Sequence, residues 1–245
     1  MKKQSVDKET LNLYQDFNIY LEHMDKIIDL ADVKDNNERD YIVAGLISKI
    51  LGSSNSIRIL FNNKVTIEAE FLARSCLEAL FYMGACINSE EALKNFMARD
   101  VFNQLTYINS ILNKNHFKLS QTERSNLDKT KEELKRLIKE NHFQQLSVER
   151  ASQLANIPAL YDTRFRTHSE ADHSSPDYLL NTYFDYDGFR IRQIRILPNP
   201  VNKITDILYT MNVVLALSCD WYRRQFNIEC PLEISRINSK YIQSE

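Results

Sequence analysis

The sequence predicts an all-α protein, and three observations carry that prediction. Only four Gly and five Pro occur in 245 residues, too few for the turns an all-β chain needs. Apolar residues recur at steps of three and four through several long stretches. The breaks between those stretches are short and polar, so the expected architecture is a bundle of long antiparallel helices. One small β-hairpin-like excursion is expected near residues 182–197.

Residues 7–31 carry Leu11, Tyr14, Phe17, Leu21, Met24 and Ile28 on one face, which predicts an amphipathic helix. A second helix runs from about 38 to 61 and stops at Asn62 and Asn63, and a third follows at once to about 88. A fourth is expected from Glu90 to about Leu112. Ser120-Gln121-Thr122-Glu123 has capping-box spacing, and the Lys/Glu-rich helix that it opens, to about Glu140, has only a thin apolar stripe. Its charge run, Lys129 to Lys139, is expected to be a solvated surface.

Ser147 to Ala155 reads as a short helix, and Asn156-Ile157-Pro158 as a break with Pro158 in the first turn of the next helix, which runs to His173. The stretch from Val148 to Arg166 does not suit a helix-turn-helix reader of DNA, because it presents Tyr161, Asp162 and Phe165 in place of a basic reading face. Ser174-Ser175-Pro176-Asp177 is expected to stop the helix. Asp187-Gly188 between β-prone runs is a hairpin signal. A last long helix, about Val201 to Phe226, returns Ile204, Ile207, Leu208, Met211, Val214, Leu215 and Trp221 to the core. The expectation is one domain over residues 1–226 and a C-terminal tail over 227–245.

Composition narrows function. Lys and Arg number 31 against 33 Asp and Glu, a net charge of −2, so no global field draws the chain to nucleic acid or an anionic membrane. Any polyanion site has to be local. Cys76, Cys86, Cys219 and Cys230 form no C-x-x-C and read as reduced core residues. The N-terminus has no apolar segment behind its basic residues, and the apolar run Phe71 to Ile87 is broken by Arg74 and Glu78. No membrane segment is expected, and a cytoplasmic location is.

The chemistry-bearing residues gather on the helix that ends at His173. Steps of four, three and four bring Asp162, Arg166, Ser169 and His173 onto one stripe, with Glu170 beside it. Arg forks onto phosphate, and His exchanges a proton near neutral pH, so Arg166 and His173 suit chemistry on a phosphodiester. A structural reading stands beside this one: Asp162 pairs with Arg166 at i,i+4, and His173 caps the helix end. Arg74 and Glu78 lie one turn apart in an apolar helix and can satisfy each other or support the site from beneath. Arg190, Arg192 and Arg195, interleaved with aromatics, suit single-stranded RNA, and equally suit an ordinary exposed hairpin. His168 and Asp172 make only two metal ligands where zinc needs more, and no Gly-rich phosphate loop is present, so the sequence implies no metal and no cofactor.

The pattern Tyr161-x-x-x-Phe165-Arg166-x-x-Ser169-x-x-x-His173, with Arg74-x-x-x-Glu78 some ninety residues earlier, resembles a bacterial family of unknown function. In that family an R-x-x-x-E helix and a Y-R-x-x-S-x-x-x-H helix recur; the likeness covers roughly residues 40 to 225. The spacing from Arg166 to His173 also resembles the looser R-x4–6-H signature of HEPN domains, all-helical proteins of toxin–antitoxin and phage-defence systems. Thr167 departs from the Ser, Asn or Asp that commonly follows the Arg there. The resemblance implies a metal-independent RNA endonuclease, acting as a homodimer with Arg166 and His173 catalytic. Asp162, Ser169, Glu170, Arg74 and Glu78 would support the pair, and Arg164, Arg190, Arg192 and Arg195 would bind RNA. It equally admits a non-catalytic binding or regulatory module, with an antitoxin or defence-system protein as partner.

Overall fold

A computed structural model describes residues 7–34, 36–113, 118–172, 176–187, 190–194 and 201–242. Among the described residues the fold is all-α apart from one hairpin. Helices α1 (Lys8–Ile28), α2 (Glu38–Asn62) and α3 (Ile67–Asn88) come first. Each of the first two opens on a side-chain cap: Asp7 accepts from the Thr10 amide, and Asn37 from the amides of Arg39 and Asp40.

The helix expected over Glu90 to Leu112 is two helices, α4 (Glu90–Met97) and α5 (Arg99–Asn113), separated at Ala98. Ala98 is only 3% exposed, so the chain turns there while buried, which the apolar period alone does not reveal. Next comes α6 (Gln121–Asn141), which opens with the full capping box between Ser120 and Glu123. It packs on α5 and buries none of its own residues, as its thin apolar stripe predicts. Then follow α7 (Val148–Leu154) and the single turn α8 (Pro158–Leu160), separated at Asn156, whose φ of 61° is one that Asn tolerates well.

Beyond α8 the expected continuous helix is interrupted. Residues Tyr161–Phe165 form a π-helical turn, in which the Arg166 amide reaches back to the Tyr161 carbonyl, before α9 (Arg166–Asp172) resumes α geometry. Hydroxyls of Thr163, Thr167 and Ser169 each bond the carbonyl four residues back, at 2.7 Å, a pattern that bends helices. A separate helix, α10 (Pro176–Tyr183), opens at Pro176 and leads into β1 (Phe184–Asp187) and β2 (Arg190–Ile194), consistent with the place of Pro at a first helical position. The strands pair antiparallel, Asp187 with Arg190 and Phe184 with Ile194. Finally α11 (Val201–Gln225) crosses the core and α12 (Leu232–Tyr241) closes the chain. Residues 227–245, expected as a tail, thus contain a helix whose Ile234, Ile237 and Tyr241 are buried.

The core forms where α2 and α11 pack on α3. Helices α2 and α3 are antiparallel, since Arg39 at the start of α2 donates to the Cys86 carbonyl at the end of α3 (2.9 Å). A parallel pair joins the two ends of the chain: on α1 and α11, Thr10 meets Thr205 (2.6 Å), Asn212 bonds the Leu13 carbonyl, and Tyr222 the Ile28 carbonyl. Gly84 marks the tightest crossing, where a Cβ would stand 2.6 Å from the Trp221 ring and 2.7 Å from the Ala155 methyl. Cys76, Cys86 and Cys219 are buried, and burial pushes each thiol up to about 12. No helix among the described residues is long and apolar enough to cross a membrane.

Candidate functional site

The charged stripe of α3 organises the region around the π turn. Glu70, Arg74 and Glu78 stand one turn apart in a helix most of whose residues are buried. Charges in such surroundings are costly unless paired, and each of the three finds a partner on a different element.

Glu70 is the innermost. Its carboxylate accepts from Lys203 Nζ of α11 at 2.7 Å and lies 3.4 Å from His168 Nδ1 of α9. The other imidazole nitrogen is 3.2 Å from Thr210 Oγ1 and 3.9 Å from Asp206 Oδ2. Arg164 completes the group, paired with Asp206 and set over the Tyr209 ring at 5.0 Å. Burial alone pushes the Glu70 carboxyl up, but the hydrogen bonds and charges of His168 and Lys203 outweigh it and hold the group below its ordinary range.

Carboxylate, imidazole and hydroxyl in line have the connectivity of a nucleophilic triad. Access decides against that chemistry. His168 is 1% exposed and Thr210 fully buried, so no substrate reaches the hydroxyl, and the group is a clamp tying α9 to α3 and α11.

Arg74 makes the second attachment. Its Nε donates to Ser169 Oγ at 2.9 Å, and its guanidinium lies 4.6 Å from the centre of the Phe165 ring. Phe165 is buried and meets Phe81 edge-on at 5.8 Å. Glu78 pairs elsewhere, with Arg99 of α5 at 3.0 Å, and Arg99 in turn covers the Tyr82 ring. The mutual Arg74–Glu78 pair expected from i,i+4 spacing is therefore replaced by two pairs that cross between elements. Each long side chain gains both a polar partner and a ring face by crossing.

The outer side of the same segment differs. Arg166 and Asp162 are both more than half exposed, with Nε 3.4 Å from Oδ1, and the Arg166 guanidinium sits 5.4 Å above the Tyr161 ring. Tyr161 stacks on Phe165, centroids 5.3 Å apart and planes 18° from parallel. Four groups thus follow one another in contact, as a ladder: Arg74, Phe165, Tyr161, Arg166.

Against the sequence expectations, the structure brings Asp162 to Arg166 and Ser169 to Arg74, and sends Glu78 to Arg99. Glu170 lies on α9. His173 and Arg195 lie outside the described residues. Arg164 is paired with Asp206 of α11. Arg190 and Arg192 are exposed on β2. Their strict alternation is interrupted, however, because Arg192 is the extra residue where the register shifts between Asp185 and Tyr186.

Glu70, Lys203, Asp206 and Thr210 escaped notice in the sequence, and His168 was weighed only as a metal ligand. A signal for Glu70 was present, since it stands just before the apolar run from Phe71 on the stripe of Arg74 and Glu78. Among the described residues no group of three His, Cys, Asp or Glu is arranged to hold a metal ion.

Fold and site together define an all-α protein with a short π-interrupted helix clamped onto its core. Residues 40–190, more than half of the chain, match the model of a family of unknown function, DUF5677, and the protein belongs to that family. The match spans Arg74, Glu78, the π turn and the whole of the Tyr161-to-His173 pattern. No curated protein and no solved structure matches the chain.

Proposed function

We propose that the protein is a metal-independent RNA endonuclease of HEPN type, serving a toxin or phage-defence system in the cytoplasm, in which His173 moves protons and Arg166 binds the scissile phosphate. One observation carries the reading: Arg166 is exposed, held by a surface ion pair with Asp162 and by the Tyr161 ring, on a segment whose inner face is fixed by His168 and Ser169. Such a placement costs stability nothing and offers a permanent cation in a set position.

The chemistry balances without a metal. A base takes the proton of a ribose 2′-hydroxyl, and the oxygen attacks phosphorus. The bond from phosphorus to the 5′-oxygen breaks, and an acid protonates that leaving oxygen. His173 serves as one of these groups, and the same residue of a second copy, in a homodimer, as the other. Proton transfer by a positioned group contributes about 10²–10⁴-fold; Arg166 adds electrostatic stabilisation of the phosphorane-like charge. Glu170 orients the pair, and exposed Arg190 and Arg192 with Arg195 hold the strand.

A second reading is a non-catalytic binding or regulatory module whose partner is an antitoxin or defence-system protein. The position of Asp162 favours it, because the carboxylate already matches the Arg166 charge. The readings part in an assay of purified protein on RNA in EDTA. The nuclease reading expects degradation that Arg166→Ala and His173→Ala each abolish; undiminished degradation by both variants removes it.

A further inference from the structure

The aromatic ladder has a geometry that neither the clamp nor the proton-transfer chemistry uses. Its inner end is closed, with Arg74 over Phe165 and Phe81 against the ring edge. Its outer end is open: Tyr161 is half-buried, and the Arg166 guanidinium above it is 62% exposed. Tyr161 packs one side of its ring on the core, with Phe81 at 6.2 Å and Phe165 at 5.3 Å, and also lies beneath the exposed guanidinium.

A guanidinium offers two different surfaces. Its edge carries N–H donors in the plane, of which Asp162 engages Nε, while its flat face stacks on π systems. Unstacked nucleobases are commonly held on aromatic rings or on Arg planes, and a paired duplex does not expose a base face for this. We infer that an unpaired nucleobase stacks on the outer face of the Arg166 guanidinium, extending the Phe165–Tyr161–Arg166 series, so that the site takes single-stranded RNA and Tyr161 is a positioning residue for it. The inference deepens the RNA reading and rests on it. It assigns the in-plane Nη donors of Arg166 to phosphate and the face of the same group to the adjoining base. Tyr161 lies beneath that group, its ring centre 5.4 Å from the guanidinium carbon. The wide π turn brings this about, because it sets Tyr161 almost parallel to Phe165 within one turn.

The test separates base recognition from cleavage by using 2′-O-methyl oligonucleotides, which lack the attacking hydroxyl. The full chain is titrated with three probes: a short single strand, the same sequence as a duplex, and the single strand with abasic sites. The single strand is expected to bind about tenfold or more tighter than its abasic form, since stacking of one base is worth that order. Tyr161→Leu is expected to lose that difference and Tyr161→Phe to keep it. Equal affinity of wild-type protein for the intact and abasic strands overturns the inference without any variant, whatever Tyr161→Leu does to folding. Cleavage of unmodified RNA, measured in parallel, reads the nuclease function separately. Base-dependent binding without cleavage sinks the nuclease and leaves the stacking site; cleavage with base-independent binding does the reverse.

Discussion

The two sides of the segment from Tyr161 to Asp172 are built on opposite principles. On the inner side, His168 and Glu70 are sealed from solvent and every polar group named there has a partner from another element. On the outer side, Arg166 and Asp162 are mostly exposed, and among the described residues Arg166 meets only Asp162 and the Tyr161 ring, both of its own segment. Glu70, His168 and Thr210 are expensive to disturb and unreachable by a ligand. The outer groups contribute little to folding and are reachable. Polar residues a few positions apart in one short helix therefore divide into structure and candidate chemistry by burial.

The sharpest way to break the contrast is at Glu70. Glu70→Ala leaves His168 and Lys203 facing an empty site, and removing one member of a buried pair costs about 3–5 kcal/mol. Denaturant unfolding should register it, and a loss below about 1 kcal/mol on that scale would mean that the clamp carries no weight. Gly84→Ala comes next. The new methyl meets Trp221 and Ala155 inside 3 Å, and overpacking of this kind costs about 1–3 kcal/mol, seen as a lowered melting temperature.

Acid provides a third contrast. The Glu70 carboxyl titrates below its ordinary value of 4.5 in the folded protein. Its stabilising contribution is thus fully present above that value and is lost as pH falls through the depressed folded one. Stability should therefore decline on acidification below the ordinary carboxylate range, and Glu70→Gln should flatten that part of the profile. The smallest effect belongs to the outer face: an exposed i,i+4 pair is worth about 0.3–0.5 kcal/mol, so Asp162→Ala should leave the unfolding midpoint almost unchanged.

The same division explains what could be read from the sequence. The helices of the bundle were legible because their apolar positions keep a 3.6-residue period, the capping box at Ser120 because cap chemistry is local, and the pairing of β1 with β2 because β-prone runs flank a turn signal. Tyr161, Arg166 and Ser169 stood out as a spaced pattern. The π turn did not, since one extra residue in a turn has no compositional mark, and it rotates Arg164 and His168 inward away from where an ideal helix would set them. Partner choice was equally hidden. Arg74 and Glu78 at i,i+4 look self-sufficient, yet they reach to Ser169 and Arg99, and nothing in one sequence says which long-range partner lies nearer. The helix α12 was missed because its buried residues, Ile234, Ile237 and Tyr241, are too few to announce it, although Tyr241 and Lys240 bind Asp16 of α1.

The most direct test is to measure RNA cleavage in EDTA and unfolding free energy on the same preparations of Arg166→Ala and Glu70→Ala. Arg166→Ala should lose cleavage while its unfolding free energy stays within about 0.5 kcal/mol of wild type, as for an exposed side chain, and Glu70→Ala should lose stability first. Cleavage by Arg166→Ala at the wild-type rate would contradict the assignment of the outer face to function.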